Sequence, residues 1–164
     1  MGQCGFPIAE RFAELLPQSV ILSHDLRLTT CEHSTFVRYI FDLNSTSICY
    51  VLVQTPNSKY FEGSAPIDFS EPLEDFDYTA IDSVLRNLSR IDYCGTVVVC
   101  STVSPGTMRR FAASYPTLRI AYMPVMVHIG KEAETFLDAP VYFIGHQSNV
   151  DPANIMGPLI EAGI

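Results

Sequence analysis

A doubly wound α/β fold with a mainly parallel sheet is the architecture this 164-residue sequence predicts. Three observations carry the prediction. Short apolar runs at 20–23, 48–53 and 96–100 are continuous rather than alternating, as in strands covered on both faces. Between them lie segments with apolar residues every three to four positions, the spacing of amphipathic helices. Strands separated by helices pair in parallel through right-handed crossovers. With 48% hydrophobic residues the chain buries a real core, and its length fits one domain near the usual size of about 100–150 residues. It shows no repeats and no second domain.

Taken in order, the first element is a helix over 5–16, with Phe6, Ile8, Ala9, Phe12, Ala13, Leu15 and Leu16 giving the apolar spacing and Pro17 ending it. Val20-Ile-Leu-Ser23 reads as a buried strand, 26–30 as a second short strand and 32–43 as a helix, though β-branched and aromatic residues weaken the last. Ile48-Cys-Tyr-Val-Leu-Val53 is a buried strand bounded by Thr55-Pro56. Residues 57–76 mix Pro, Gly, Ser and acids without a period and read as a long surface loop. Asp77 can cap a helix running to Ile91, whose apolar face is Ile81, Val84, Leu85 and Leu88. Thr96-Val-Val-Val-Cys100 is the strongest strand. A short helix over 108–115, strands over 118–122 and 141–144, and a helix over 152–162 complete the chain.

A net charge of -8 and a pI near 4.8 exclude phosphate-backbone recognition, which relies on clustered Lys and Arg, so no nucleic-acid partner is expected. No apolar run reaches the roughly 18–20 residues that span a bilayer, and no basic region precedes an apolar one at the N-terminus. A soluble, cytoplasmic protein is expected. The five cysteines (Cys4, Cys31, Cys49, Cys94, Cys100) form no Cys-x-x-Cys pair and read as reduced thiols. Four scattered histidines (His24, His33, His128, His146) lack ligand spacing, so no metal is expected. The acidic stretch from Glu71 to Asp77 reads as a solvated loop and helix cap. Ser101 and Ser104 have no sequence neighbour that would activate a nucleophile.

In folds of this class a glycine-rich turn after the first strand brings the backbone to a pyrophosphate at a helix N-terminus, and an acid about 20 residues later holds the ribose. Gly2-Gln-Cys-Gly5 supplies the second and third glycines of such a turn, and Asp25 lies at the distance of the acid. Three further segments are specific: Gly5-Phe-Pro-Ile-Ala, Val51-Leu-Val-Gln-Thr-Pro56 and Ser101-Thr-Val-Ser-Pro-Gly-Thr107. They resemble, in order, the Gly-Leu-Pro-Leu-Ala, the strand ending in Thr-Pro and the Ser-Thr-Val-x-x-Gly-Thr turn of the UDP-glucose/GDP-mannose dehydrogenase family. Met123-Pro-Val-Met-Val-His-Ile-Gly130, followed by Gly145, occupies the place of that family's Asn-Pro-Glu-Phe-Leu-x-Glu-Gly. From end to end the chain resembles the family's N-terminal NAD-binding domain, which is Rossmann-like.

The resemblance implies NAD over the carboxyl edge of the sheet. Gly2 and Gly5 would face the pyrophosphate, Asp25 (or His24, one residue away) the adenosine ribose, and Thr55 and Thr102 the nicotinamide side. The Thr102 hydroxyl can donate and accept, so it could orient a catalytic water; the plainer reading is a turn residue after a buried strand.

The departures concern chemistry. Family members oxidise a sugar C6 alcohol twice through a thioester on a cysteine of a second, sugar-binding domain, which is expected to be missing here. Val125 and Ile129 stand where the family has two glutamates, Met123 stands for an asparagine, and neither aliphatic can carry a proton. His128 is the remaining titratable group of the segment, and Cys100 is expected to point into the core. The sheet is expected to lack the usual first strand, leaving inner edges that neighbouring strands close or another chain covers.

Three functions follow from this reading. The first is an NAD-binding-type domain that is catalytically incompetent alone, a pseudoenzyme or reduced homologue. The second is a structural or interaction module, a homo-oligomer or protein-binding scaffold without cofactor. The third is the cofactor half of an enzyme assembled from separate chains.

Overall fold

The computed structural model describes residues 2–26, 34–56, 76–128 and 130–163. Helix α1 (Gly2–Leu15) is followed by two short parallel strands, β1 (Leu22–Ser23) and β2 (Thr35–Phe36), and a 3-10 helix (Ile40–Ser45). Next come β3 (Ile48–Val51), α2 (Thr79–Arg90), β4 (Thr96–Val99), α3 (Thr107–Ser114) and β5 (Arg119–Tyr122). Helix α4 (Glu132–Leu137), strand β6 (Gly145–His146) and helix α5 (Ala153–Glu161) close the chain.

Strands β3, β4 and β5 pair in parallel and β6 adds antiparallel to β5, giving the order β3-β4-β5-β6. The sheet is therefore mainly parallel, as the apolar runs predict. Its centre, β4, is buried at all four positions. Alternate β4 residues serve opposite faces. Val98 and Cys100 pack with Ile8, Phe12 and Leu16 of the α1 region and with Phe136 and Ile155, while Val97 and Val99 pack with Ile81, Leu85, Leu88 and Phe111. Helices thus cover both faces, and this double cover explains why the strand sequence is apolar throughout rather than alternating.

Three elements differ from the sequence reading. The helix expected over 32–43 is replaced, within the described residues, by β2 and the 3-10 helix. Thr35, Phe36 and Val37 favour extended backbone, and Thr35 and Val37 donate to the Ile21 and Ser23 carbonyls at 2.9 and 2.8 Å. The strand expected over 141–144 forms three residues further on, at β6; Val141 and Phe143 are 47% and 58% exposed, whereas Tyr142 and Ile144 pack on the core. Helix α4 was not expected, because six residues are too few to show a helical period. The expected strand over 26–30 falls almost wholly outside the described residues, as do the loop over 57–75 and the residues Cys31, His33 and Ile129.

The smaller sheet, β1-β2, is not joined to the larger one. Among the described residues no neighbouring strand closes the break. A cavity of about 600 Å³ lies there, with β1 and residues 45–53 among its walls and Ile8, Phe12 and Leu16 of the α1 side lining it.

Candidate functional site

The carboxyl ends of β3 and β4 are tied together by side chains. Cys100 donates its N–H to the Val51 carbonyl at 2.9 Å, continuing the ladder. One residue on, the Ser101 hydroxyl takes over: Val53 N–H donates to Ser101 Oγ at 2.9 Å, and Ser101 Oγ donates to the Val53 carbonyl at 2.6 Å. The Thr55 hydroxyl donates to the Thr102 carbonyl at 2.9 Å, so the two turns are held edge to edge.

Beyond Thr102 the chain makes a tight turn into α3. Gly106 caps that helix with φ 88°, a left-handed conformation that costs glycine little and other residues more. A Cβ there would meet nothing within 4 Å, so conformation rather than space calls for glycine. Ser104 donates its N–H to the Tyr78 hydroxyl at 2.9 Å, and the Arg110 guanidinium lies 5.6 Å from the centre of the same ring.

Of the expected site residues, the structure joins Thr55 to Thr102, with the Thr102 side chain exposed. Gly2 opens α1, and Gly5 is buried in its first turns, where it lines the cavity together with Ser23, His24 and Val53. Asp25 lies two residues beyond β1 and is half-buried. The His24 ring bonds the Val37 carbonyl through Nδ1 at 3.1 Å, which ties the end of β1 to the end of β2. Asp25 and Thr102 do not line the cavity shared by Gly5 and His24.

The segment that replaces the expected acids is apolar in its packing. Met123 is buried and donates its N–H to the Val99 carbonyl at 2.9 Å, and Val125 packs against the α1-side core. His128 is exposed, and its backbone N–H meets the Thr135 hydroxyl at 3.0 Å. The Cys100 thiol is buried, donates to the Val98 carbonyl, and is pushed far up by burial, so it remains a thiol. Burial likewise pushes Cys49 up to about 12. Cys4, Cys49, Cys94 and Cys100 are all free thiols.

Two buried carboxylates were missed. Glu132, at the start of α4, accepts the Gly130 N–H at 2.8 Å and helps burial raise the Cys4 thiol above its ordinary value. Glu10 of α1 accepts from the Ser34 N–H at 3.0 Å and the Ser34 hydroxyl at 2.5 Å. An acid in the first turn of a helix gives a sequence signal for Glu132, though not in a helix too short to be recognised. Among the described residues no group of three His, Cys, Asp or Glu side chains could hold a metal, and no helix is long and apolar enough to cross a membrane.

Comparison of folds decides the architecture. A GDP-mannose dehydrogenase from Pseudomonas aeruginosa, solved as a ternary complex, matches with a TM-score of 0.74 at 14% identity, over 98% of this chain and 42% of that one. The chain has a Rossmann-like α/β fold. A UDP-glucose dehydrogenase from the hyperthermophilic archaeon Pyrobaculum islandicum matches with a TM-score of 0.69 at 19% identity, over 98% of this chain and 41% of that one. The chain therefore spans about two fifths of the length of each dehydrogenase. No protein-family model and no curated protein sequence matches it significantly.

Proposed function

We propose that the chain is an NAD-binding-type domain that does not catalyse sugar oxidation by itself. The observation that carries this reading is the placement of Gly2 and Gly5 in the opening turns of α1 while Asp25 follows β1, on a fold shared with two nucleotide-sugar dehydrogenases. The first N–H groups of a helix lack partners within it and suit a pyrophosphate. In this reading those of α1 hold the phosphates, Asp25 accepts from the ribose hydroxyls, and Thr102 faces the nicotinamide side. NAD would supply a hydride acceptor.

Among the described residues of the segment that would lie beside that acceptor, His128 alone can carry a proton, and it is exposed, with its backbone N–H held by Thr135. Val125 and Met123 carry no proton, and Cys100 is turned into the core as a neutral thiol. Oxidation of an alcohol needs a base for the hydroxyl proton as well as an acceptor for the hydride. Binding without turnover is the consequence.

Calorimetric titration with NAD, and separately with UDP-glucose and GDP-mannose, tests this. Saturable NAD binding that weakens in Asp25→Ala, without NAD reduction when either sugar nucleotide is added, is the expected result. No heat at millimolar NAD would remove the cofactor and leave the scaffold reading. Reduction of NAD by the chain alone would refute incompetence.

A further inference from the structure

The small β1-β2 sheet is tied to α1 through three buried side chains. Glu10 of α1 is 8% exposed, and its Oε1 accepts from the Ser34 N–H at 3.0 Å and from the Ser34 hydroxyl at 2.5 Å. The Ser34 hydroxyl proton is thereby committed to Glu10, so at the 2.8 Å contact between the Ser23 and Ser34 hydroxyls it is Ser23 that donates. Ser23 ends β1, Ser34 immediately precedes β2, and both are buried. The bonds therefore run in one direction, from the end of β1 through the start of β2 to the helix.

We propose that Glu10 is a positioning residue for the ribose of a dinucleotide: through Ser34 and Ser23 it sets where Asp25 stands relative to the opening turns of α1. The assignment rests on the NAD-binding reading, in which those turns hold the phosphates and Asp25 holds the adenosine ribose.

The first support is that strand pairing alone cannot set this geometry. β1 and β2 hold two residues each and share no ladder with β3. Apolar burial is non-directional, whereas a hydrogen bond to a carboxylate fixes both distance and direction. The second is the shortness of the path. Gly5 and Glu10 lie five residues apart on one helix, roughly 7.5 Å at the helical rise, and Asp25 follows Ser23 by two residues. Gly5, Ser23 and His24 line one cavity, so the two ends of the path face each other.

The third is that a shift of Ser23 is passed on to Asp25. Ser23 is held to β2 by its carbonyl, which accepts from the Val37 N–H at 2.8 Å, and the His24 ring bonds the Val37 carbonyl at 3.1 Å. The end of β1 and the start of the Asp25 turn thus move as one piece with β2, and Glu10 holds that piece against the helix.

The test titrates the whole 164-residue chain with NAD in a double-mutant cycle of Glu10→Ala and Asp25→Ala. Glu10→Ala is expected to weaken NAD at least about tenfold in the parent and less than about twofold in the Asp25→Ala background, where nothing is left to position. Ser34→Ala keeps the backbone donor and loses the hydroxyl, so it should weaken NAD in the same direction by less. Without NAD, exchange at the Thr35 and Val37 amides should quicken at least about tenfold in Glu10→Ala while the Val98 amide is unchanged.

Equal weakening by Glu10→Ala in both backgrounds overturns the proposal, since Glu10 would then act on the site at large. Unchanged NAD affinity in Glu10→Ala overturns it too, as does unchanged exchange at Thr35 and Val37, which would mean that the relay does not hold β2. Loss of Val98 protection in both Glu10→Ala and Ser34→Ala makes Glu10 a residue of the fold as a whole and overturns it. A parent chain that binds no NAD removes the cofactor reading and this assignment with it, and the parent titration shows that before any variant is compared.

Discussion

Tyr50 stands on the α1 face of β3, with its ring 6.0 Å from that of Phe12, and its hydroxyl is buried with no hydrogen-bond partner among the described residues. An unmet buried hydroxyl costs stability, and removing it leaves the ring contact intact. Tyr50→Phe is expected to stabilise the chain by about 1 kcal/mol, read from the urea midpoint; a loss of stability would show that the hydroxyl has a partner. Cys49 carries a pH prediction. Its thiol, raised by burial from 9.0 to about 12, ionises in the unfolded chain before it ionises in the folded one. Its contribution is therefore complete below about pH 9 and is lost as pH rises from there towards 12. Alkaline unfolding curves should be flatter for Cys49→Ala than for the parent across that range. Both thiols in strands were legible as core thiols because they interrupt apolar runs without breaking them. Glu10 was not legible, since nothing in its helix announces that Ser34, far along the chain, supplies its two donors.

At the scale of elements, the Ser101 hydroxyl lengthens the β3–β4 pairing beyond its last backbone bond. Ser101→Ala leaves the Val53 N–H and carbonyl without that partner, so a loss of about 1–3 kcal/mol is expected in equilibrium urea unfolding. An unchanged midpoint would show that the two turns are held by Thr55 and Thr102 alone. The Ser-Thr-Val motif was legible as a turn, but its clasp was not, because the partner lies 48 residues away. Legibility followed burial on two faces. Strands β3 and β4 announced themselves as apolar runs, whereas the 141–144 segment, with alternate residues exposed, carried strand-forming residues without forming the strand. At 32–43, apolar spacing suggested a helix while the residue types favoured extension, and pairing with β1 decided for extension. Of the candidate site, Thr55 and Thr102 were legible as residues following strands, but their meeting across the ends of β3 and β4 was not; that contact and the apolar surroundings of Val125 emerged only from the packing.

For the molecule as a whole, likeness to two dehydrogenases of which it covers about two fifths fixes the fold, and the work it does depends on what its edges and its α1 turn meet. The break between the two sheets also bears on how the chain comes apart. β3, β4 and β5 are consecutive strands of one ladder and share one buried core on each face. β1 and β2 hold only two residues each and connect to them without a shared ladder. Such a unit opens at a lower free energy than its neighbour. Heating should therefore remove it first: β1 and β2 amides would exchange through sub-global opening, those of β4 only through complete unfolding, and the calorimetric enthalpy would exceed the van't Hoff value. A gap that looks static in outline thus divides a chain of single-domain size into two melting units, and anything that bridges the gap would fuse them into one transition.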